Sequence, residues 1–128
     1  MLLSRLKEYI STVVNRYKGI IYAWDVVNKA ISDKPDEFYR NSLFFQICGE
    51  SFIEKAFEYA HAADPDAWLF YNDYNETNPV ERRKIIEMIR KLRLKGLPIH
   101  GVGLQAHWSI DMEAKQTEQY NNCFKVLR

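Results

Sequence analysis

Apolar residues recur every three to four positions in four stretches of the chain, a spacing that predicts amphipathic helices. Gly19 ends the first stretch, whereas Asn78 and Pro79 are favourable residues for the start of the third. Gly96 and Pro98 end that third stretch. The predicted helices cover residues 3–17, 52–60, 79–95 and 112–127.

Short runs that are apolar almost throughout lie between these helices and are rich in β-branched and aromatic residues. Such runs are typical of strands that are covered on both faces of a parallel sheet. They predict strands at residues 20–27, 68–71 and 99–105. Strands that alternate with helices, without hairpin signals, indicate the α/β class. Because no glycine-rich phosphate-binding motif follows a strand, a (β/α)8 barrel is favoured over a dinucleotide-binding fold.

Polar side chains close each of the three predicted strands. In (β/α)8 barrels the chemistry takes place at the carboxyl ends of the strands, so these residues are candidates for function. They are Asp25 and Asn28, then Asn72 and Asp73, then Gln105 and His107.

Three motifs at these strand ends resemble the signatures of strands four, five and six of glycoside hydrolase family 10. The motifs are WDVVNKAI, LFYNDYNE and GVGLQAHWS, at residues 24–31, 69–76 and 101–109. The intervening helices are also similar to that family, so the resemblance covers nearly the whole chain. It implies endo-1,4-β-xylanase ancestry and retention of anomeric configuration. It also implies a partial (β/α)8 TIM barrel, about half of a barrel, as one partial catalytic domain over residues 1–128.

Lys29 stands where the resemblance places the catalytic acid/base, because the family pattern WDVVNE has a glutamate at that point. Retaining hydrolysis needs two carboxyl groups about 5 to 5.5 Å apart, one as acid/base and one as nucleophile. An ordinary lysine, with a pKa of about 10.4, holds its proton too tightly for this exchange at neutral pH. We therefore expect hydrolysis to be absent or strongly impaired. The alternative is that burial makes the Lys29 ammonium acidic enough to act in the glutamate's place.

The family's nucleophile belongs to its seventh strand, in a motif like TELD, and no such motif follows residue 109. Residues 112–128 resemble the helix after strand seven rather than the helix after strand six. This predicts an internal jump near Ile110 and Asp111 that omits one helix and the nucleophile strand. The alternative is an unusual sixth helix.

The resemblance also implies a set of substrate-contacting residues. The asparagine contacts the sugar at the cleavage subsite, the glutamine and the histidine lie beside the nucleophile, and the tyrosine lies near the rim of the cleft. The set is Asn28, Tyr74, Gln105, His107 and Trp108. Without the resemblance, His107 would be interpreted as a structural histidine, and Asn72-Asp73 as turn residues that cap a strand.

Other conspicuous residues receive structural interpretations. Trp24 and Trp68 lie within predicted strands and are expected in the core. Cys48 and Cys123 are far apart and form no metal-ligand pattern, so we expect buried free thiols. The acidic residues nearest to the motifs fall in loops or at helix starts, where the helix dipole explains a negative charge; they are Glu50, Glu76 and Glu81.

Charge and composition limit the possible partners. The chain has 18 basic and 17 acidic residues among 128, so its net charge of +1 provides no field that would attract nucleic acid or an anionic membrane. The amino-terminal segment carries Arg5, Lys7 and Glu8, which fits neither a signal peptide nor a membrane span. The sequence predicts no cofactor, no metal site and no particular compartment. The expected partner is xylan or a xylo-oligosaccharide.

Three strands of eight leave an open sheet, because a complete (β/α)8 barrel takes about 250 residues. Val26, Phe70 and Leu104 are predicted on the face that would form the barrel interior. Open edges and an exposed apolar face favour association with a second copy or a complementing fragment. Two alternatives to an impaired xylanase therefore stay open: a non-hydrolytic xylan-binding protein and a self-assembling half-barrel.

Overall fold

A computed structural model describes residues 1–75 and 77–107 of the chain. Several of the features predicted above lie outside the described residues. These are the helix at residues 112–127, the jump near Ile110-Asp111, and the residues Glu76, Trp108 and Cys123.

Helices and strands alternate along the described residues, as the sequence predicts for the α/β class. In chain order the elements are α1 (Leu2–Arg16), β1 (Ala23–Asn28), α2 (Leu43–Cys48), α3 (Ser51–Ala63), β2 (Trp68–Asp73), α4 (Pro79–Leu94) and β3 (Gly101–Leu104). The strands form one parallel sheet in the order β1-β2-β3. The predicted start of α4 is confirmed, because the Asn78 side chain accepts a hydrogen bond from the Val80 N–H at 2.9 Å and Pro79 is the first helical residue.

Two local predictions need correction. The first strand begins at Ala23 rather than at Ile20, because the N–H groups of Ile20 and Ile21 both donate to the Tyr17 carbonyl at 3.0 Å and close the turn after α1. The sequence pattern also missed α2, which spans only six residues and has no buried residue to reveal its periodicity. Its start is fixed by the Ser42 hydroxyl, which accepts from the Phe45 N–H at 3.2 Å.

The core lies between the sheet and the helices on one of its faces. Phe57 of α3, Leu69 and Tyr71 of β2, and Met88 of α4 are all completely buried there. α1 packs against α3, and its residues Ile10 and Val13 also lie beside Trp24 of β1. The residues of β2 alternate between this buried face and the opposite face of the sheet. Every second side chain of the strand is therefore packed into the core.

The opposite face of the sheet is open within the described residues, which corrects the expectation of strands covered on both faces. Trp68 is 60% exposed there and stacks on Phe70 and His100, so its expected place in the core is wrong. Register places Phe70 on this face, but Leu104 pairs with buried Asp73 and so belongs to the other face. These assignments follow because residues paired across a parallel sheet point to the same side.

Val26 lies at an irregularity in the pairing of β1 with β2 and packs against the core, so its predicted place on the open face is also wrong. The expectation of a buried thiol at Cys48 needs correction as well, because this free cysteine is only half-buried. Among the helices of the described residues, each is too short or too polar to cross a membrane.

Candidate functional site

The carboxyl edge of the sheet brings the three motifs together. Shortly after each strand, one residue other than glycine has a positive φ: Lys29 at 55°, Asn75 at 57° and Ala106 at 49°. Only a few per cent of residues other than glycine adopt this left-handed conformation. Strained backbone of this kind is concentrated at functional sites. All three exits from the sheet are therefore sharply turned at the edge where the candidate residues lie.

A row of hydrogen bonds joins the ends of β1 and β3. The Gln105 side-chain N–H donates to Asn28 Oδ1 at 2.7 Å, and Gln105 Oε1 lies 2.9 Å from His107 Nε2, which donates in the matching tautomer. All three side chains remain accessible to solvent at this edge. The structure thus brings together three of the residues that the resemblance assigns to substrate contact.

Asp25 and Asn72 lie on the same open face, and Asn72 pairs directly with Asn28 across the sheet. The Asn72 side-chain N–H donates to Asp25 Oδ2 at 3.1 Å. Gly103 leaves space for the pair, because a Cβ at that position would lie 3.0 Å from Asn72 Oδ1 and 3.4 Å from Asp25 Oδ1. Asn72 is therefore part of the polar face of the sheet and not a turn residue.

Lys29 is held at the site through both its backbone and its side chain. Its N–H donates to the Asn72 carbonyl at 2.9 Å, and its own carbonyl accepts from Arg40 Nε at 3.0 Å. Its half-buried side chain places the ammonium 4.3 Å from the centroid of the Tyr74 ring, within the range of a cation–π interaction. The Tyr74 ring also meets His107 edge-on, with ring centroids 6.4 Å apart.

Tyr74 is oriented by a hydrogen-bonded group that includes Asp33 and Arg40. The Tyr74 hydroxyl donates to Asp33 Oδ2 at 2.6 Å, and Arg40 Nη2 donates to both oxygens of Asp33 at 2.9 and 3.0 Å. The hydrogen bond to Asp33 raises the pKa of Tyr74. Partial burial raises the pKa of Asp33, but the hydrogen bonds from Tyr74 and Arg40 outweigh it and lower that pKa overall. Asp33 is therefore an ionised acceptor at neutral pH.

A buried hydrogen-bonded pair lies behind the site. The Tyr71 hydroxyl accepts from the N–H groups of Ala30 and Ile31 at 3.0 and 3.2 Å and donates to Asp73. Asp73 also accepts from the Tyr74 N–H at 2.8 Å. Burial raises the pKa of both Tyr71 and Asp73. This pair ties the chain after β1 to the end of β2, so Asp73 supports the site from behind rather than facing the open cleft.

Two members of the site, Asp33 and Arg40, gave no functional signal in the sequence, because a hydrogen-bonding partner far along the chain leaves no local pattern. Glu50 and Glu81 do lie at helix starts, as predicted. Glu50, however, also binds Lys91 at 2.6 Å, and Glu81 is buried. No three His, Cys, Asp or Glu side chains within residues 1–75 and 77–107 are placed to hold a metal ion.

Comparison with known proteins finds xylanases both among sequence relatives and among solved structures. The chain is 57% identical to a β-1,4-xylanase of Dictyoglomus thermophilum over 109 residues, which are 85% of this chain and 31% of that protein. Its structure matches the crystal structure of the xylanase XynB from Paenibacillus barcinonensis with a TM-score of 0.90 at 50% identity, over 99% of this chain and 39% of the other. It also matches xylanase 10B from Thermotoga petrophila in complex with xylobiose, with a TM-score of 0.79 at 37% identity, over 96% of this chain and 39% of the other.

The chain thus spans about a third or less of the length of the curated relatives it matches. The three parallel strands and their helices correspond to part of the (β/α)8 barrel of these structural neighbours. The profile described as Glycosyl hydrolase family 10 matches residues 1–127, and the chain belongs to that family.

Proposed function

We propose that the chain is a partial catalytic domain of the endo-1,4-β-xylanase type, over residues 1–128, and that it contacts a β-1,4-linked xylose chain at the carboxyl edge of its sheet. The observation that carries the proposal is the row formed by Asn28, Gln105 and His107, which joins two strand ends on an accessible edge. The relatives are named xylanases, and one structural neighbour was solved in complex with xylobiose. The expected contacts also include Tyr74 and Trp108.

The chemistry of the row supports a sugar ligand. Amide and imidazole groups both donate and accept hydrogen bonds, as do the hydroxyl groups of a sugar. Tyr74 lies at the side of the row and is held by Asp33, so its position is set before a ligand arrives. Groups that are already oriented lose less conformational entropy when a ligand binds. Trp108 directly follows His107 in sequence, and its part in binding stays a prediction.

Hydrolysis by the 128-residue chain is proposed to be absent or strongly impaired, because Lys29 occupies the acid/base position. Three carboxylates of the described residues at this edge are engaged in hydrogen bonds: Asp33 binds Arg40 and Tyr74, Asp73 accepts from Tyr71, and Asp25 accepts from Asn72. Loss of general acid–base catalysis alone removes about 10² to 10⁴ in rate.

Two measurements on the purified chain test the proposal. Incubation with xylan and with an aryl xyloside is expected to release no product above background, and turnover that Lys29→Ala abolishes would contradict the proposed impairment. Titration with xylotriose, followed by calorimetry and by NMR, is expected to show binding. If neither heat nor chemical-shift changes appear at millimolar ligand, the chain is not a xylan binder in this form.

Self-assembly is a second candidate function, favoured by the open face of the sheet. Trp68 is 60% exposed beside Phe70, and the sheet ends at β1 and β3 without further strands among the described residues. A second copy or a complementing fragment could cover this face. Sedimentation velocity tests the idea, since a stable, folded monomer at high concentration would exclude it.

A further inference from the structure

Lys84 of α4 is a buried lysine whose ammonium contacts only backbone carbonyl groups in the described part of the chain. The side chain donates to the carbonyls of Ser32, Lys34 and Glu37, at 3.2, 2.6 and 2.6 Å. Lys84 is only 8% exposed. The ion pairs found among residues 1–75 and 77–107 do not include it. All three donors of the ammonium are thus used to hold one loop, residues 32–37, against α4.

Such a use of a lysine is costly unless every donor is satisfied, because a buried charge loses its hydration. An apolar side chain of similar length would fill the same space without the cost of desolvating a charge. The three carbonyl groups, however, would then lose the hydrogen-bond donor that Lys84 provides. Lys84 therefore determines where the loop lies rather than adding to the apolar core.

The loop in turn determines the position of Tyr74. Asp33 lies between two of the carbonyls that bind Lys84 and accepts from the Tyr74 hydroxyl at 2.6 Å. Tyr74 in its turn lies under the Lys29 ammonium, 4.3 Å from the ring centroid. A continuous set of contacts thus runs from the buried face of α4 to the proposed cleft.

A second residue of α4, one helical turn earlier, acts on the neighbouring loop. Glu81 is only 6% exposed, and its Oε2 atom finds no hydrogen-bond partner among the described residues. Burial and the nearby charge of Asp33 raise its pKa, whereas a hydrogen bond with the Asn75 side chain and the charge of Lys84 lower it. The first turns of α4 thus face both loops that leave the carboxyl edge after β1 and β2.

We infer that Lys84 is a positioning residue for the Tyr74 side of the proposed xylan cleft: by holding residues 32–37 against α4 it places Asp33, and Asp33 orients Tyr74. The ligand-binding consequence rests on the proposed function, but the placement of Tyr74 does not. The two are therefore tested by separate measurements.

The first measurement needs no ligand. In protein labelled with ¹³C at the tyrosine ring, the Tyr74 phenol is identified by its loss in Tyr74→Phe and is titrated by NMR. Among residues 1–75 and 77–107, the charged or titratable groups that face this phenol are Asp33, Arg40, Lys29 and His107. In Lys84→Met the raised pKa of Tyr74 is expected to fall toward its ordinary value of 10.0, because Asp33 leaves its place. A pKa of Tyr74 that does not change would overturn the inference.

The second measurement is the affinity for xylotriose in a double-mutant cycle. Lys84→Met and Tyr74→Phe are each expected to weaken binding about fivefold, and the double variant no further, since both remove the same oriented hydroxyl. Additive losses would show that Lys84 does not act through Tyr74. If the unchanged chain binds no xylotriose while Lys84→Met still lowers the pKa of Tyr74, the proposed function fails and the positioning role stands.

Two further variants complete the design. Lys95→Met is the matched control, because Lys95 follows the same helix and pairs with Glu54 on the surface, away from the site. It is expected to change neither the pKa of Tyr74 nor the affinity. If Lys84→Met does not fold, Lys84→Gln retains an N–H donor at the same position and is carried through the same titration. A fall of the Tyr74 pKa in Lys84→Gln, relative to the unchanged chain, supports the inference, and no fall overturns it.

Discussion

The ammonium of Lys29 lies 4.3 Å from the centroid of the Tyr74 ring, and this contact joins the ends of β1 and β2 at the candidate site. Cation–π contacts of this kind contribute about 0.5 to 2 kcal/mol, depending on how far the cation is desolvated. The lysine thus has a defined place at the carboxyl edge, beside the tyrosine that Asp33 orients. Replacing Lys29 changes the electrostatics of the cleft as well as its proposed chemistry.

Lys29→Glu is expected to leave the 128-residue chain without xylanase activity. The substitution supplies one carboxyl group, but retaining hydrolysis needs a second one about 5 to 5.5 Å away. Release of reducing sugar from xylan measures the outcome, with Lys29→Gln as the neutral control. Turnover by Lys29→Glu far above that of Lys29→Gln would mean that the chain contains its own nucleophile and that the predicted jump near residues 110–111 is wrong.

Gln105→Ala is expected to weaken xylotriose binding about three- to tenfold with little change in stability. Gln105 connects Asn28 to His107, so its loss frees both side chains to rotate. The affected hydrogen bonds are accessible to solvent, which keeps their contribution to stability below about 1 kcal/mol. Calorimetry and thermal unfolding, carried out together, separate the two effects. A large loss of stability would indicate that the row is structural.

Tyr71→Phe is expected to destabilise the fold by about 2 to 3 kcal/mol, whereas Tyr74→Phe should cost less than about 1 kcal/mol. The Tyr71 hydroxyl is buried and serves two backbone N–H groups as well as Asp73, all of which lose a partner. Asp33, the acceptor of the Tyr74 hydroxyl, is solvent-exposed and retains Arg40. Urea denaturation of both variants measures the difference. Equal costs would mean that the buried pair does not tie β2 to the chain after β1.

Lys91→Met is expected to destabilise the chain at pH 7 but not in acid. The hydrogen bond from Lys91 lowers the pKa of Glu50 below its ordinary value of 4.5, while burial acts against it. Because the folded state then binds a proton less readily than the unfolded state, the stabilisation is present above pH 4.5 and is lost as the pH falls through the lowered folded pKa. Thermal unfolding from pH 7 to pH 3 follows this loss, and Glu50→Gln should reproduce it. A stability difference that is independent of pH would contradict this assignment.

The sequence predicted the alternating helices and strands because apolar periodicity is a local property. α1, α3, α4 and the three strands all form near their predicted positions. The errors fall where a backbone turn or the tertiary arrangement, rather than apolar periodicity, decides the outcome. Ile20 and Ile21 look like strand residues but turn back to Tyr17, and Trp68 lies on a face that is open in the described part of the chain.

The sequence by itself also identified the family and the candidate residues at the carboxyl edge of the sheet. The motifs contain Asn28, Gln105 and His107 at the ends of the predicted strands. Only the tertiary structure decided which groups meet across that edge. Asp33 and Lys84 gave no periodic signal, because a charged side chain that is stabilised by distant carbonyls or hydroxyls has the same local sequence as one in solvent. Polar partners are chosen by the geometry of packed strands and loops, which an apolar pattern does not encode.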